Sequence, residues 1–165
     1  MITTKKLGEA GEAEVARVLR SRGYTVREIG GNYPVIDLEV DASRDFRISV
    51  KTSASKRHVR LGSTASISQL RDSDFVFAIM PQVGGEALSP ELKDYDLWII
   101  PGGVARADAL WVHETYLALP SRTGAERSGS AGVLVKSYSS RPSQREVWER
   151  WARYAGAWSV LPPPR

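Results

Sequence analysis

Residues Pro34 to Ser53 read Pro-Val-Ile-Asp-Leu-Glu-Val, then a polar connection Asp-Ala-Ser-Arg-Asp, then Phe-Arg-Ile-Ser-Val-Lys-Thr-Ser. Apolar and polar residues alternate along both arms, which is the pattern of strands that bury one face of a sheet. The connection over residues 41–45 consists of residue types that suit tight turns. The segment is therefore predicted to be a β-hairpin. Its predicted apolar face comprises Ile36, Leu38, Val40, Phe46, Ile48 and Val50.

The polar face of this hairpin is a candidate site. If the arms pair, Asp37, Ser49 and Lys51 share one face, with a carboxylate and an ammonium side by side. An ordinary amphipathic hairpin would also carry polar residues on that face. The hairpin alone therefore does not distinguish a functional site from an ordinary solvated surface. A third polar residue, earlier in the chain, favours the functional site.

That third group is Glu12, on a predicted helix over residues 5–22 that ends before Gly23. At about 100° per residue, Glu12 projects close to Leu19 on the apolar side, whereas Glu14 points nearly opposite, towards water. A carboxylate on the apolar side needs a partner such as a metal, a lysine or a backbone donor. The alternative is that Glu12 lies at the edge of the apolar stripe and reaches solvent.

The composition is that of an ordinary globular protein, with 165 residues of which 42% are hydrophobic and 25% charged. This length fits one domain, predicted here to span residues 1–161 and to be followed by a flexible Pro-rich tail over 162–165. The absence of cysteine excludes disulfides and thiolate metal sites.

Charge and hydropathy narrow the possible partners. A net charge of +4 and an isoelectric point near 9.5 permit nucleic-acid binding without establishing it. No apolar run approaches the ~18 residues of a membrane span, and the N-terminus lacks the apolar core of a signal peptide. We therefore expect a cytoplasmic protein with no membrane partner.

The order of elements predicts an α/β fold. Residues 24–29 alternate as a first strand, and continuous apolar runs over 75–80 and 97–100 indicate buried strands. A helix, a strand, a hairpin and two further strands predict a central mixed β-sheet flanked by helices.

The C-terminal third is predicted to contain two short helical turns, over 104–109 and 114–119, and an edge strand over 133–135. A last helix is predicted to begin at Ser143 as N-cap, because a glutamate follows three residues later. Its apolar stripe is interpreted as core packing rather than as a platform for stacking bases. That stripe comprises Val147, Trp151, Tyr154 or Ala155, and Trp158.

Four motifs follow one another in a familiar order. They are Gly8-x-x-Gly11-Glu12, a helix ending in Leu19-x-x-x-Gly23-Tyr24-x-Val26, Ile36-Asp37-Leu38, and Val50-Lys51-Thr52-Ser53. This arrangement resembles the PD-(D/E)XK nuclease superfamily, especially small Holliday-junction resolvases and a homing-endonuclease-like group carrying Gln-x-Lys. The resemblance covers about the first 60 residues well, and its order and spacing are more specific than any single motif.

The resemblance implies a restriction-endonuclease-like core and a role for each matched residue. Asp37 would ligate a divalent cation, Mg²⁺ or Mn²⁺, Glu12 would help to hold it, and Lys51 would assist the attacking water and the phosphate. General chemistry agrees, because phosphodiester hydrolysis benefits from a metal that activates water and from a cation beside the phosphate. DNA is the implied substrate, and cutting both strands would call for a homodimer.

Ser49 departs from the family pattern. The family carries Glu, Asp or Gln two residues before the lysine, and a serine hydroxyl cannot replace the charge of a carboxylate. Three explanations stay open at this point. Glu39 on the neighbouring arm supplies the missing ligand, or the site is weakened, or the domain binds nucleic acid without cutting it.

A basic segment follows the lysine. Lys56, Arg57, His58 and Arg60 lie among short hydroxyl side chains, which is typical of a loop that contacts phosphates. The alternative is a solvated surface loop. The adjacency to the candidate site favours DNA binding.

Three classes of function therefore compete: a metal-dependent DNA endonuclease, a catalytically decayed nucleic-acid-binding module of the same fold, and a protein-interaction domain that keeps the fold only. Metal binding separates the first from the other two. Salt-dependent DNA binding separates the second from the third.

Overall fold

The computed structural model describes residues 3–30, 35–126 and 132–165. Its helices are α1 (Thr4–Ser21), α2 (Thr64–Ser68), α3 (Gly102–Ala118) and α4 (Pro142–Trp151). Its strands are β1 (Thr25–Glu28), β2 (Leu38–Asp41), β3 (Phe46–Thr52), β4 (His58–Gly62), β5 (Phe75–Pro81), β6 (Tyr95–Pro101) and β7 (Val133–Lys136).

The main sheet has five strands in the order β1-β2-β3-β5-β6. Strands β3 and β5 run parallel, whereas the other neighbours are antiparallel. The predicted α/β fold with a central mixed sheet is therefore confirmed. Strands β4 and β7 form a separate antiparallel pair.

Two apolar layers cover the two faces of the main sheet. Helix α1 packs on one face through Leu7, Val15, Ala16 and Leu19, all buried. The other face is covered by α2, α3, α4 and the β4–β7 pair. Val147 and Trp151 of α4 are fully buried in this second layer, so the interpretation of the aromatic stripe as core packing holds for them. Within the described ranges, no helix combines the length and the apolar character needed to cross a bilayer.

The hairpin forms as predicted, with one exception at its start. Leu38 pairs with Ile48 and belongs to the α1 layer, but Ile36 is buried in the opposite layer. The reason is a shift in register, because the Asp37 N–H donates to Ile48 O at 2.8 Å instead of meeting Ser49. A one-residue shift reverses which face the preceding side chains reach. The predicted first residue, Pro34, lies outside the described residues.

The C-terminal third differs from expectation in its helices. The two predicted turns are parts of one helix, α3, because Ala105, Ala109 and Val112 recur at helical spacing and are buried along its length. Helix α4 begins at Pro142 after Arg141, so Ser143 is not the N-cap. The Ser143 hydroxyl instead accepts a hydrogen bond from the hydroxyl of Thr115 at 2.8 Å, which joins α4 to α3.

Residues 162–165, for which a flexible Pro-rich tail is predicted, make several hydrogen bonds. The hydroxyl of Tyr24 donates to Pro162 O at 2.8 Å, and the N–H of Ser43 donates to Pro163 O at 2.9 Å. Arg165 donates to Ala42 O at 2.8 Å. These bonds hold residues 162–165 against the turn of the hairpin.

A close backbone approach sets the position of α1 on the sheet. A Cβ atom placed on Gly11 would overlap the hydroxyl of Thr52 in β3 and lie 3.2 Å from its Cβ. Gly8, one turn earlier, has no neighbour within 4 Å of such an atom. Only a glycine at position 11 therefore allows the helix to lie this close to β3.

We predict that Gly11→Ala lowers the free energy of unfolding by about 1–3 kcal/mol, because the added methyl group forces α1 away from β3. Gly8→Ala is the matched control and should raise it by about 0.5–1 kcal/mol, since alanine favours an unobstructed helix. Urea unfolding followed by circular dichroism measures both changes. Equal effects of the two substitutions would contradict the close approach.

Candidate active site

The structure brings Glu12 of α1 to the start of the hairpin. Glu12 follows Gly11, the residue that lies against Thr52 of β3, and its charge acts on Lys51 of the same strand. The carboxyl of Asp37 and the ammonium of Lys51 are the charged groups that act on it from the hairpin. Glu12 is half-buried, so its carboxyl has charged neighbours and also reaches solvent.

Asp37 is fixed by the irregularity that precedes β2. Its Oδ2 accepts a hydrogen bond of 2.6 Å from the N–H of Val50. A side-chain oxygen therefore takes the place of a backbone acceptor where the β2–β3 ladder is shifted. Because the bond uses a main-chain donor, the position of the Asp37 carboxylate follows from the backbone of the hairpin.

Lys51 completes the cluster from near the end of strand β3, beside Ala78 of β5. It is partly buried, and burial lowers the pKa of its ammonium, whereas the charges of Asp37 and Glu12 act in the opposite direction. The lysine is therefore held near two carboxyl groups in a site with limited access to water.

The two carboxyl groups are unusual in their protonation. Burial raises the pKa of Glu12 to about 7, and the nearby charge of Asp37 adds to the effect. Burial also raises the pKa of Asp37, although the Val50 N–H and the Lys51 ammonium oppose this shift. Two crowded carboxylates favour sharing one proton, and a bound cation would relieve the same repulsion.

Ser49, the residue that departs from the expected motif, is buried in β3. It lies opposite Val76 in the β3–β5 pair and is only 1% exposed. Its hydroxyl is buried without a hydrogen-bond partner among the described residues. This hydroxyl, two residues before Lys51 in the same strand, is an unsatisfied polar atom that a ligand or a water could satisfy.

The carboxyl groups of the cluster are few for a divalent-cation site. Over residues 3–30, 35–126 and 132–165, no three acidic or histidine side chains gather as a metal site. Glu12 and Asp37 provide two carboxylates, and Mg²⁺ often binds through one or two carboxylates while keeping several waters. The residues present therefore fit a hard cation that retains much of its hydration.

Glu39 lies outside this cluster. It pairs across the sheet with Arg27 of β1 and forms a salt bridge with it. On its other side it faces Arg47 of β3, whose guanidinium binds Asp74. The structure gives Glu39 cationic partners of its own and does not bring it to Asp37.

The other glutamate of α1 also departs from expectation. Glu14 does not point into open water, because it accepts hydrogen bonds from Arg17 and, at 2.7 Å, from the hydroxyl of Tyr95. The bonds to Arg17 are the main reason that the pKa of Glu14 is lowered. The two glutamates of one helix thus have opposite electrostatic surroundings.

The basic segment is half strand rather than loop, because residues from His58 onwards pair with β7. Lys51 lies in the same groove of about 420 Å³ as Lys56, His58 and Arg60. Arg57 is different, since its guanidinium donates to Pro81 O and to Asp96 and is mostly buried. We therefore assign Arg57 to the fold and keep the other three as candidate phosphate contacts.

Two residues next to this groove were not predicted from the sequence as site residues. Lys136 of β7 lies opposite His58, and Tyr138 follows shortly after. The ring of Tyr138 is hydrogen-bonded to His58 through its hydroxyl. The only signal was the short Val-Leu-Val-Lys strand, which gave no indication of its partner.

The fold has a counterpart among solved structures. No protein-family model matches the sequence, and no curated protein matches it either. Among solved structures, the bacterial homing endonuclease I-Ssp6803I matches with a TM-score of 0.54 and 15% identity, over 96% of this chain and 93% of that chain. Hjc, a Holliday junction resolvase of Archaeoglobus fulgidus, matches with a TM-score of 0.43 and 16% identity, over 59% of this chain and 74% of that chain. The likeness to I-Ssp6803I spans nearly all of both chains, so this α/β fold is one that a known nuclease also has.

Proposed function

We propose that the protein is a metal-dependent DNA endonuclease that hydrolyses phosphodiester bonds, with Glu12, Asp37 and Lys51 as its catalytic cluster. The observation that carries the proposal is the convergence of two coupled carboxyl groups and a lysine at the shifted end of the β2–β3 ladder. The whole-chain likeness to a homing endonuclease supports the same class of reaction.

In this proposal each residue has a distinct task. Asp37 and Glu12 hold a divalent cation, which when bound lowers the pKa of a water and offsets negative charge on the phosphate. The ammonium of Lys51 binds a phosphate oxygen and stabilises the charge that develops on it. The Val50 N–H keeps the Asp37 carboxylate in place while the reaction proceeds.

Substrate binding would extend from the cluster along the groove. Lys56 and Arg60 are exposed and line the same groove as Lys51. Their charges suit the phosphates of a DNA strand on either side of the one that is cut.

A second candidate function is a DNA-binding module with a decayed site. The observation in its favour is the buried Ser49, whose hydroxyl offers neither charge nor reach where the family carries a ligand. Two carboxylates without a third ligand hold a cation less firmly than three. The two functions differ in whether DNA is cut when Mg²⁺ or Mn²⁺ is present.

The first prediction for the proposed site concerns the metal-free protein. Because the folded pKa of Glu12, about 7, lies above its ordinary value, protonated Glu12 favours the folded state and this contribution is lost as the pH rises through about 7. The melting temperature in chelator should therefore fall between about pH 5 and about pH 8, and Glu12→Gln should flatten this fall. Saturating Mg²⁺ should raise the wild-type melting temperature more at the higher pH.

Glu14→Gln is the control for this titration, since it changes the same residue type in the same helix. The pKa of Glu14 is lowered, so ionised Glu14 stabilises the folded state at pH values above the ordinary pKa of a glutamate. That contribution is lost as the pH falls through the lowered pKa. The control should therefore alter the acidic limb and leave the decline towards about pH 8 intact. A wild-type decline that Glu12→Gln does not change would contradict the shared proton.

The second prediction is cleavage of branched or supercoiled DNA with Mg²⁺ or Mn²⁺, and none in chelator. Asp37→Ala should abolish it, because the best-fixed carboxylate is lost. Lys51→Ala should slow it by about 100-fold or more at saturating metal. Glu39→Ala is the control, and it should cut like the wild type because Glu39 binds Arg27 instead. Cleavage that survives Asp37→Ala would exclude the cluster as the source of activity.

The third prediction tests Ser49 by calorimetry with Mg²⁺ and with Mn²⁺. Ser49→Glu should tighten metal binding about tenfold, because a third carboxylate joins the two present. Ser49→Ala should bind metal like the wild type. A buried extra carboxylate should also lower the melting temperature in chelator, and metal should restore it. A wild type that binds no cation, beside a Ser49→Glu variant that does, would favour the DNA-binding module.

A further inference from the structure

The β4–β7 pair presents a polar face to solvent. Its inner side chains, such as Val59 and Val135, are buried against the second apolar layer. Its outer face carries His58 opposite Lys136, with Arg60 one step further along β4. This two-stranded ribbon therefore has one buried face and one strongly basic face.

An exposed aromatic ring lies at the end of that basic face. Tyr138 is 51% exposed. The ammonium groups of Lys56 and Lys136 lie 5.2 Å and 6.0 Å from its ring centroid. Its hydroxyl lies 2.9 Å from Nδ1 of His58. One half-exposed ring thus lies within reach of two lysines and a histidine.

The positive charge of this surface is not neutralised. In the described part of the chain, none of the salt bridges involves Lys56, Arg60 or Lys136. Burial and these three cations together lower the pKa of His58. A group of cations without acidic partners in the described part of the chain suits a partner that carries several negative charges, such as a nucleic acid.

The combination of a ring and free cations fits a nucleotide better than a simple anion. Base–aromatic stacking adds about 1–3 kcal/mol per base in proteins that bind single strands. In a paired duplex the faces of the bases are covered by their neighbours, so the ring can stack only on a base that has left the helix. Lys56 and His58 also line the groove that contains Lys51, so the ring lies next to the proposed path of the DNA strand.

We propose that the β4–β7 ribbon binds an unpaired nucleotide of a DNA substrate, with its base stacked on Tyr138 and its flanking phosphates on Lys56, Lys136 and Arg60. The inference rests on the proposed function in taking DNA as the partner. It adds a substrate class, DNA with unpaired bases, and it requires no catalysis.

The test uses duplex DNA that contains a short single-stranded gap with 2-aminopurine, in chelator so that nothing is cut. Wild-type protein should quench the 2-aminopurine fluorescence on binding, because the base stacks on the ring. Tyr138→Leu should abolish the quenching and weaken binding to the gapped DNA by about 5- to 100-fold. Its affinity for the fully paired duplex should change by less than about twofold, since no base is free to stack. Tyr138→Phe keeps the ring and should behave like the wild type.

Charge variants provide the matched control. Lys136→Ala should lower the slope of log affinity against log salt by about one, as expected for one lost phosphate contact. Arg44→Ala removes an equal charge from the exposed hairpin turn, at the opposite end of β3 from Lys51, and should leave that slope unchanged. Quenching that persists in Tyr138→Leu, or an equal loss of affinity for gapped and paired DNA, would overturn the proposal.

The outcomes also separate this inference from the proposed activity. If the wild type quenches the 2-aminopurine fluorescence of gapped DNA in chelator but never cuts that DNA with Mg²⁺ or Mn²⁺, the result would support nucleotide binding by the ribbon and exclude the endonuclease. A wild type that cuts DNA and whose binding is insensitive to Tyr138→Leu would support the endonuclease and exclude the ribbon.

Discussion

The hydrogen bond from the Val50 N–H to the Asp37 carboxylate is the contact on which the candidate site depends. The β2–β3 ladder is shifted at this point, and a side-chain oxygen accepts from the backbone where a carbonyl would in a regular ladder. The same shift sends Ile36 to one apolar layer and Leu38 to the other. A single irregularity therefore anchors an acidic side chain and divides the core residues on either side of it. The glycine at position 11 then allows α1 to approach closely enough for Glu12 to reach that anchored carboxylate.

The charges of the cluster follow from this geometry. Two carboxyl groups and one ammonium share a partly buried space, so full ionisation would leave one excess negative charge. The apo protein reduces that excess by favouring a proton on Glu12. A cation with hard oxygen ligands would replace the proton and reverse the preference. The fold thus holds the two carboxylates in an arrangement whose electrostatic repulsion a bound cation would reduce.

The sequence indicated much of this site because its signals were local. Alternation identified both arms of the hairpin, and helical phase placed Glu12 on the inner side of α1. The shift at Asp37 was not foreseen, because nothing in period-two alternation marks where a ladder slips. The partners of distant residues were equally hidden: β7 pairs with β4, and Asp96 binds Arg57, across separations that no local pattern encodes. Long-range pairing therefore reassigned Arg57 to the fold and brought Tyr138 to the basic groove.

The contacts of residues 162–165 have a consequence for the order of folding. Arg165 binds Ala42 and Asp45 across more than a hundred residues, and Pro163 accepts from Ser43 in the same turn. During synthesis the ribosome releases the hairpin long before these last residues. The arms of the hairpin can pair early, whereas the polar groups of its turn stay with water until residues 162–165 have been made. Closing so long a loop is a slow and late step compared with pairing neighbouring strands. The nascent chain would therefore bring Asp37 and Lys51 together before the far end of the same hairpin is covered.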